Sequence, residues 1–130
     1  MNAILLVGLV MASVTPNTKI PKIERILDGI WMVESSKRDY PPDGDKGKAI
    51  GPYQIHKEYW KDGTRLLGVK WSYSDARKKD RARAVVRAYI THYGKGHGED
   101  GMIRVHNGGP NGWKYKSTLK YLQKVKAAMK

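Results

Sequence analysis

Four carboxylates within a short stretch are the first residues here that could do chemistry: Glu34, then Asp39, Asp43 and Asp45. Glu34 continues the series Ile23, Ile26, Leu27, Ile30 and Trp31, whose spacing marks one face of a helix. A carboxyl on an apolar face, near the negative end of the helix dipole, is biased toward its neutral acid form. Such a group can act as a general acid. The three aspartates follow in a polar stretch that Pro41, Pro42, Gly44 and Gly47 force to turn, where hydration keeps carboxylates ionised. One neutral and one charged carboxyl side by side is a pairing that cleaves glycosidic bonds. On spacing alone a plainer reading stays open, a solvated glutamate at a fraying helix end. An acidic loop of this kind also reads as merely hydrated or calcium-like, though Lys46 and Lys48 interrupt it.

The elements that must position these groups are legible in outline. Ser35, Ser36 and the pair Pro41-Pro42 end the first helix. The stretch 35–51 reads as loop or short hairpin leading into a brief strand at Tyr53-Gln54-Ile55. Ser74 suggests the N-cap of a second helix, with Asp75 in its first turn. Ala82, Val85, Val86, Tyr89, Ile90 and Tyr93 form that helix's apolar stripe. Arg77, Lys78, Lys79, Arg81, Arg83 and Arg87 form its exposed side, and Gly94 and Gly96 stop it. A short helical piece over 102–106 enters a glycine-rich turn over 106–112. Ser117 opens a last helix with Leu119, Leu122, Val125 and Met129 inward. The predicted class is mainly α (α+β), with a small β-hairpin.

Composition bounds the chemistry further. A chain of 130 residues makes one domain with a core of its own. The 25 Lys and Arg against 12 Asp and Glu leave a net charge of +13, which suits nucleic acid, a membrane surface or an anionic wall polymer. With no cysteine, disulfides, thiolate metal sites and cysteine nucleophiles are excluded. The four histidines lack i, i+4 spacing, so no metal site is expected. Residues 1–18 carry no charge and contain a ten-residue apolar run, too short to span a bilayer. That segment reads as the hydrophobic part of an export signal lacking a basic start, or else as a segment packed on the domain.

Several motifs then converge in order and interval. They are Glu34-Ser35, Gly51-Pro52-Tyr53-Gln54-Ile55 with Tyr59-Trp60 and Asp62, the run from Arg104 through His106-Asn107-Gly108-Gly109-Pro110-Asn111-Gly112, and Ser117-Thr118-Leu119. Together they resemble the invertebrate-type, destabilase-like lysozyme family over roughly residues 20–125. The stretch from Gly44 to Ala49 before Gln54-Ile55 is also similar to lytic transglycosylases. The two-carboxylate logic used above is itself drawn from lysozymes.

The resemblance implies a lysozyme-like fold, with a catalytic domain over 19–130. It implies hydrolysis of the β-1,4 bond between N-acetylmuramic acid and N-acetylglucosamine in peptidoglycan, with retained configuration. Glu34 would be the general acid, and Asp45, or failing it Asp43, the supporting carboxylate. Tyr53 and Trp60 would offer apolar faces to sugar rings, Gln54 amide hydrogen bonds, and His106, Asn107 and Gly108 the opposite wall. His106 reads equally as a brace of the glycine turn. No cofactor is implied, and the expected partners are peptidoglycan or related N-acetylglucosamine polymers and the anionic wall surface, met by a monomer. Residues 101–130 hold Arg104 and six lysines with no acid, a basic face for such a polymer. Animal members of the family are rich in disulfides; their absence here suits a bacterial or viral relative. Delivery to the wall by secretion, on a virion or at lysis is expected. The serine and lysine that some members use on isopeptide bonds do not align, so that activity is not carried over. Two alternatives remain: a lytic transglycosylase using Glu34 alone, and a non-catalytic basic module binding nucleic acid or wall polymer, whose affinity would collapse with salt.

Overall fold

The computed structural model describes residues 20–130, so the apolar segment 1–18 and its reading as an export signal lie outside the described residues. Five α-helices are described: α1 Lys22–Ser35, α2 Lys57–Leu67, α3 Lys79–Tyr93, α4 Gly98–Gly108 and α5 Leu119–Ala128. None of the described helices is long and apolar enough to cross a membrane.

α1 forms where the spacing predicts, because Ile26, Leu27 and Ile30 fall on one face and are fully buried. Burying each such side chain contributes about 1.5–3 kcal/mol. The helix ends at Ser36, whose left-handed backbone lets its N–H reach back to the Met32 carbonyl. α5 lies directly on α1. A Cβ at Gly29 would stand 2.7 Å from Met129 Cγ and 3.2 Å from Val125 Cγ1, so any larger residue would push the Met129 and Val125 side chains aside. That close packing brings the start of α5 alongside the end of α1, where Glu34 sits. Val85, Val86 and Ile90 of α3 and Ile103 and Val105 of α4 complete the core.

Several sequence expectations need correction. The strand at Tyr53-Gln54-Ile55 is absent: the hairpin holds only two isolated antiparallel bridges, Gly44 with Ala49 and Ile50 with Ile55. Gln54 lies in a turn with φ 50°, incompatible with a strand. Ser74 does not cap a helix; it lies in a 3₁₀ turn, Tyr73–Arg77, and α3 begins later, at Lys79. The side chain of Asp75 still reaches that helix and accepts from Arg81 at 2.8 Å. α4 is longer than the short piece expected, and Leu119 is 40% exposed rather than inward. α2 escaped the periodicity because its buried residues are Trp60, Gly63 and Thr64, with no aliphatic stripe. Arg83 is not a solvated cation. It donates to Asp28 Oδ1 at 2.8 Å, Glu24 Oε1 at 3.1 Å and Tyr53 Oη at 2.9 Å, tying α3 to α1 and to the hairpin.

The glycine-rich turn after α4 is held from within. Fully buried Thr118 donates its hydroxyl to the Gly112 carbonyl at 2.8 Å and accepts from Arg104 Nε at 2.8 Å. The turn thereby fixes where His106 and Asn107 emerge.

Candidate active site

A cleft of about 300 Å³ opens between the end of α1, the 44–55 hairpin and the end of α4. Glu34, Asp45, Ala49, Gln54, His56, His106 and Asn107 line it. Two carboxylates eleven positions apart in sequence thus face one space, because the loop after α1 doubles back. Ser35 anchors that return by donating its hydroxyl to the Pro52 carbonyl at 2.9 Å, and Trp31 Nε1 holds the Arg38 carbonyl at 3.0 Å.

Glu34 does not sit among hydrocarbon, as the stripe on α1 suggests. Its side chain is 20% exposed and polar groups from two other helices meet it. The Tyr121 hydroxyl donates to Oε2 at 2.7 Å, and His106 Nε2 stands 3.4 Å from the same oxygen. Among the described residues none bonds to Oε1, so that oxygen is left to the cleft. Burial first, then the nearby Glu34 charge, pushes the Tyr121 hydroxyl well above its usual range and keeps it a donor.

His106 is buried, with its ring fixed on both sides. The Tyr53 carbonyl, 3.2 Å from Nε2, can only accept, so Nε2 carries the hydrogen and Nδ1 accepts from the Tyr59 hydroxyl at 2.8 Å. Tyr59 is itself stacked on Tyr89, with ring centroids 3.6 Å apart. His106 borders the cleft and ties α4 to Tyr53 and Tyr59; its ring does not brace the glycine turn, the alternative the sequence left open.

Asp45 lies across the cleft, 58% exposed, with His56 Nε2 at 3.3 Å from Oδ2. Its backbone is left-handed, φ 47°, as is that of Lys46, φ 55°. That conformation costs a non-glycine residue about 1–2 kcal/mol, and strain of this kind gathers at functional sites. Asp43 goes elsewhere. Arg77 donates to both its oxygens, at 2.5 and 3.2 Å, and holds its carboxyl below the usual range; Asp43 does not line the cleft.

Other sequence candidates are redistributed. Tyr53 has no exposed surface and its hydroxyl takes the Arg83 bond, so it offers no face to a ligand. Trp60 is 3% exposed and donates Nε1 to the Trp71 carbonyl at 3.2 Å, a core role. Gln54 lines the cleft, but its amide N–H groups go to the carbonyls of Gly51 at 3.0 Å and Pro42 at 3.3 Å. It braces the hairpin that carries Asp45 rather than offering those donors to a sugar. Asn107 lines the cleft and is exposed, whereas Gly108 packs against Thr118 and Tyr115 outside it. Sequence reasoning passed over Tyr121 and His56. Tyr121 precedes the inward Leu122 by one residue, so its position on the flank of α5 was readable, but its partner was not.

The chain matches the Destabilase family over residues 26–128, which include every residue lining the cleft. The chain belongs to the destabilase family. A lysozyme of Meretrix lusoria is 36% identical over 110 residues, 78% of this chain and 88% of that protein. A lysozyme of Magallana gigas is 35% identical over 81 residues; that match spans 59% of this chain and 58% of that protein. Among solved structures, a chain from Aeromonas hydrophila PliI in complex with Meretrix lusoria lysozyme superposes with a TM-score of 0.68 at 33% identity, covering 84% of this chain and 93% of that one. Tapes japonica lysozyme gives a TM-score of 0.66 at 27% identity, covering 82% and 92%. This destabilase-family chain thus has a mainly α, lysozyme-like fold and is a lysozyme-type glycoside hydrolase.

Proposed function

We propose that this destabilase-family chain hydrolyses the β-1,4 bond between N-acetylmuramic acid and N-acetylglucosamine in peptidoglycan, with retained configuration. The observation that carries the reading is the convergence of Glu34 and Asp45 on one open cleft. Tyr121 donates to Oε2 of Glu34, with His106 Nε2 3.4 Å from the same oxygen, and Oε1 is left for the bound sugar. Oε1 delivers its proton to the glycosidic oxygen as the bond to the anomeric carbon breaks, then takes a proton from the incoming water. Asp45 stabilises the positive charge that develops on the sugar, and His56 holds Oδ2 so that Oδ1 faces it. Asn107 offers an exposed amide at the opposite lip.

The basic C-terminal region suits an anionic wall polymer: Lys114, Lys116, Lys120 and Lys124 are exposed. Work at the bacterial wall, after secretion or release, follows from that reading. Digestion of purified peptidoglycan with product mass spectrometry tests it. Muramic acid reducing ends are expected. Anhydro-muramic ends would make the enzyme a lytic transglycosylase, and undigested glycan would overturn the hydrolase reading.

A further inference from the structure

The cleft does not stop at His56. That residue also lines a second hollow of about 410 Å³ together with Gly47, Lys48, Lys57, Glu58 and Tyr73. Lys57, Glu58 and Tyr73 in turn border a third hollow of about 410 Å³ that reaches Lys61 and Trp71. The three hollows share walls and form one trough, running from Glu34 along the first two turns of α2.

Its walls are fixed. The Tyr73 hydroxyl bridges the carbonyls of Lys48, at 3.1 Å, and Ile55, at 2.7 Å. The Trp71 carbonyl accepts from Trp60 Nε1, and the Arg81 guanidinium lies 4.7 Å from the Trp71 ring centre. The charges along the trough are free by contrast. Lys48, Lys57 and Lys61 are exposed and, like most lysines of the described residues, form no ion pair. Beyond the Glu34 and Asp45 carboxylates of the first hollow, three lysines against Glu58 leave two positive charges in excess along the second and third hollows.

Three ammonium groups gathered beside the half-buried rings of Tyr73 and Trp71 suit an anionic ligand with apolar side chains better than a neutral sugar track. The component of peptidoglycan that is both anionic and near the scissile bond is the peptide hanging from muramic acid. We infer that the trough binds this stem peptide, with Lys48, Lys57 and Lys61 receiving its carboxylates and Tyr73 and Trp71 its apolar side chains. The inference rests on the peptidoglycan reading above and deepens it: the enzyme distinguishes peptide-bearing strands from bare ones.

The test is calorimetric titration of the Glu34→Gln protein, which binds without turnover, with a disaccharide-tetrapeptide and with the same disaccharide lacking its peptide. Replacing Lys57 and Lys61 together by Gln should weaken peptide-bearing ligand about threefold to tenfold at low salt, the scale of two exposed charge pairs. Binding of the bare disaccharide should not change, and salt should erase the difference. Both positions are exposed on α2 and Gln is a good helix former, so the fold is retained. Equal losses with both ligands, or none, would overturn the assignment. So would a larger loss with poly(glycerol phosphate) than with the peptide ligand. Because binding is read separately from cleavage, a chain that discriminates peptide yet leaves walls intact keeps the trough and loses the hydrolase reading. A chain that clears walls without discrimination does the reverse.

Discussion

Replacing Glu34 by Gln isolates the one event on which the proposed mechanism turns, transfer of a proton from Oε1. The change is nearly isosteric, and the surroundings dictate how the amide settles. The Tyr121 O–H donates to the Oε2 position, so the amide oxygen takes that place and the NH₂ group takes the place of Oε1. That hydrogen bond survives and the side chain remains 80% buried, so stability should shift by less than about 1 kcal/mol. In a domain of this size that is a melting change of no more than about 4 °C. The amide has no proton to give. General acid–base catalysis supplies about 10²–10⁴ in rate, roughly 2.7–5.5 kcal/mol of barrier. Turbidity clearing of a wall suspension, followed beside thermal melting, reads the two effects apart. A folded variant that clears walls at more than a tenth of the parental rate refutes the assignment of Glu34.

Three further outcomes follow from the geometry. Asp45→Asn should lower the clearing rate by about 10²-fold, the scale of one lost charge-stabilising group, while Asp43→Asn, whose carboxylate is bound by Arg77 away from the cleft, should change it less than about threefold; the reverse order would reassign the second carboxylate. Gly51→Ala puts a Cβ 1.9 Å from the Ala76 carbonyl oxygen at φ +78°. It should destabilise by about 2–4 kcal/mol, and a melting temperature within 3 °C of the parent contradicts that packing. Burial pushes the Tyr53 hydroxyl up to about 12, with Arg83 pulling it down. The folded protein thus keeps this proton to higher pH than the unfolded chain. Stability is full below about pH 10 and declines by up to about 3 kcal/mol as pH rises toward 12. Melting temperatures measured from pH 9 to 12 should fall more steeply in the parent than in Tyr53→Phe, and parallel slopes would sink the argument.

By itself the sequence determined what local rules control. The 3.6-residue recurrence of Ile26, Leu27 and Ile30, and of Val85, Val86 and Ile90, specified two buried helix faces, because a helix places such residues on one side whatever it packs against. Pro41, Pro42 and the glycines around them required the chain to turn after Glu34, and the ordered motifs pointed to a lysozyme-like family. Tertiary structure decided which aspartate shares the cleft with Glu34: Arg77, thirty-four residues away, captures the Asp43 carboxylate, whereas Asp45 lines the cleft beside His56. It also decided that Tyr53 and Trp60 are core and that Tyr121 donates to Glu34. An aromatic residue carries the same local signal whether it faces sugar or core. Only the approach of α5 to α1 at Gly29 brings Tyr121 within 2.7 Å of a carboxylate 87 positions earlier.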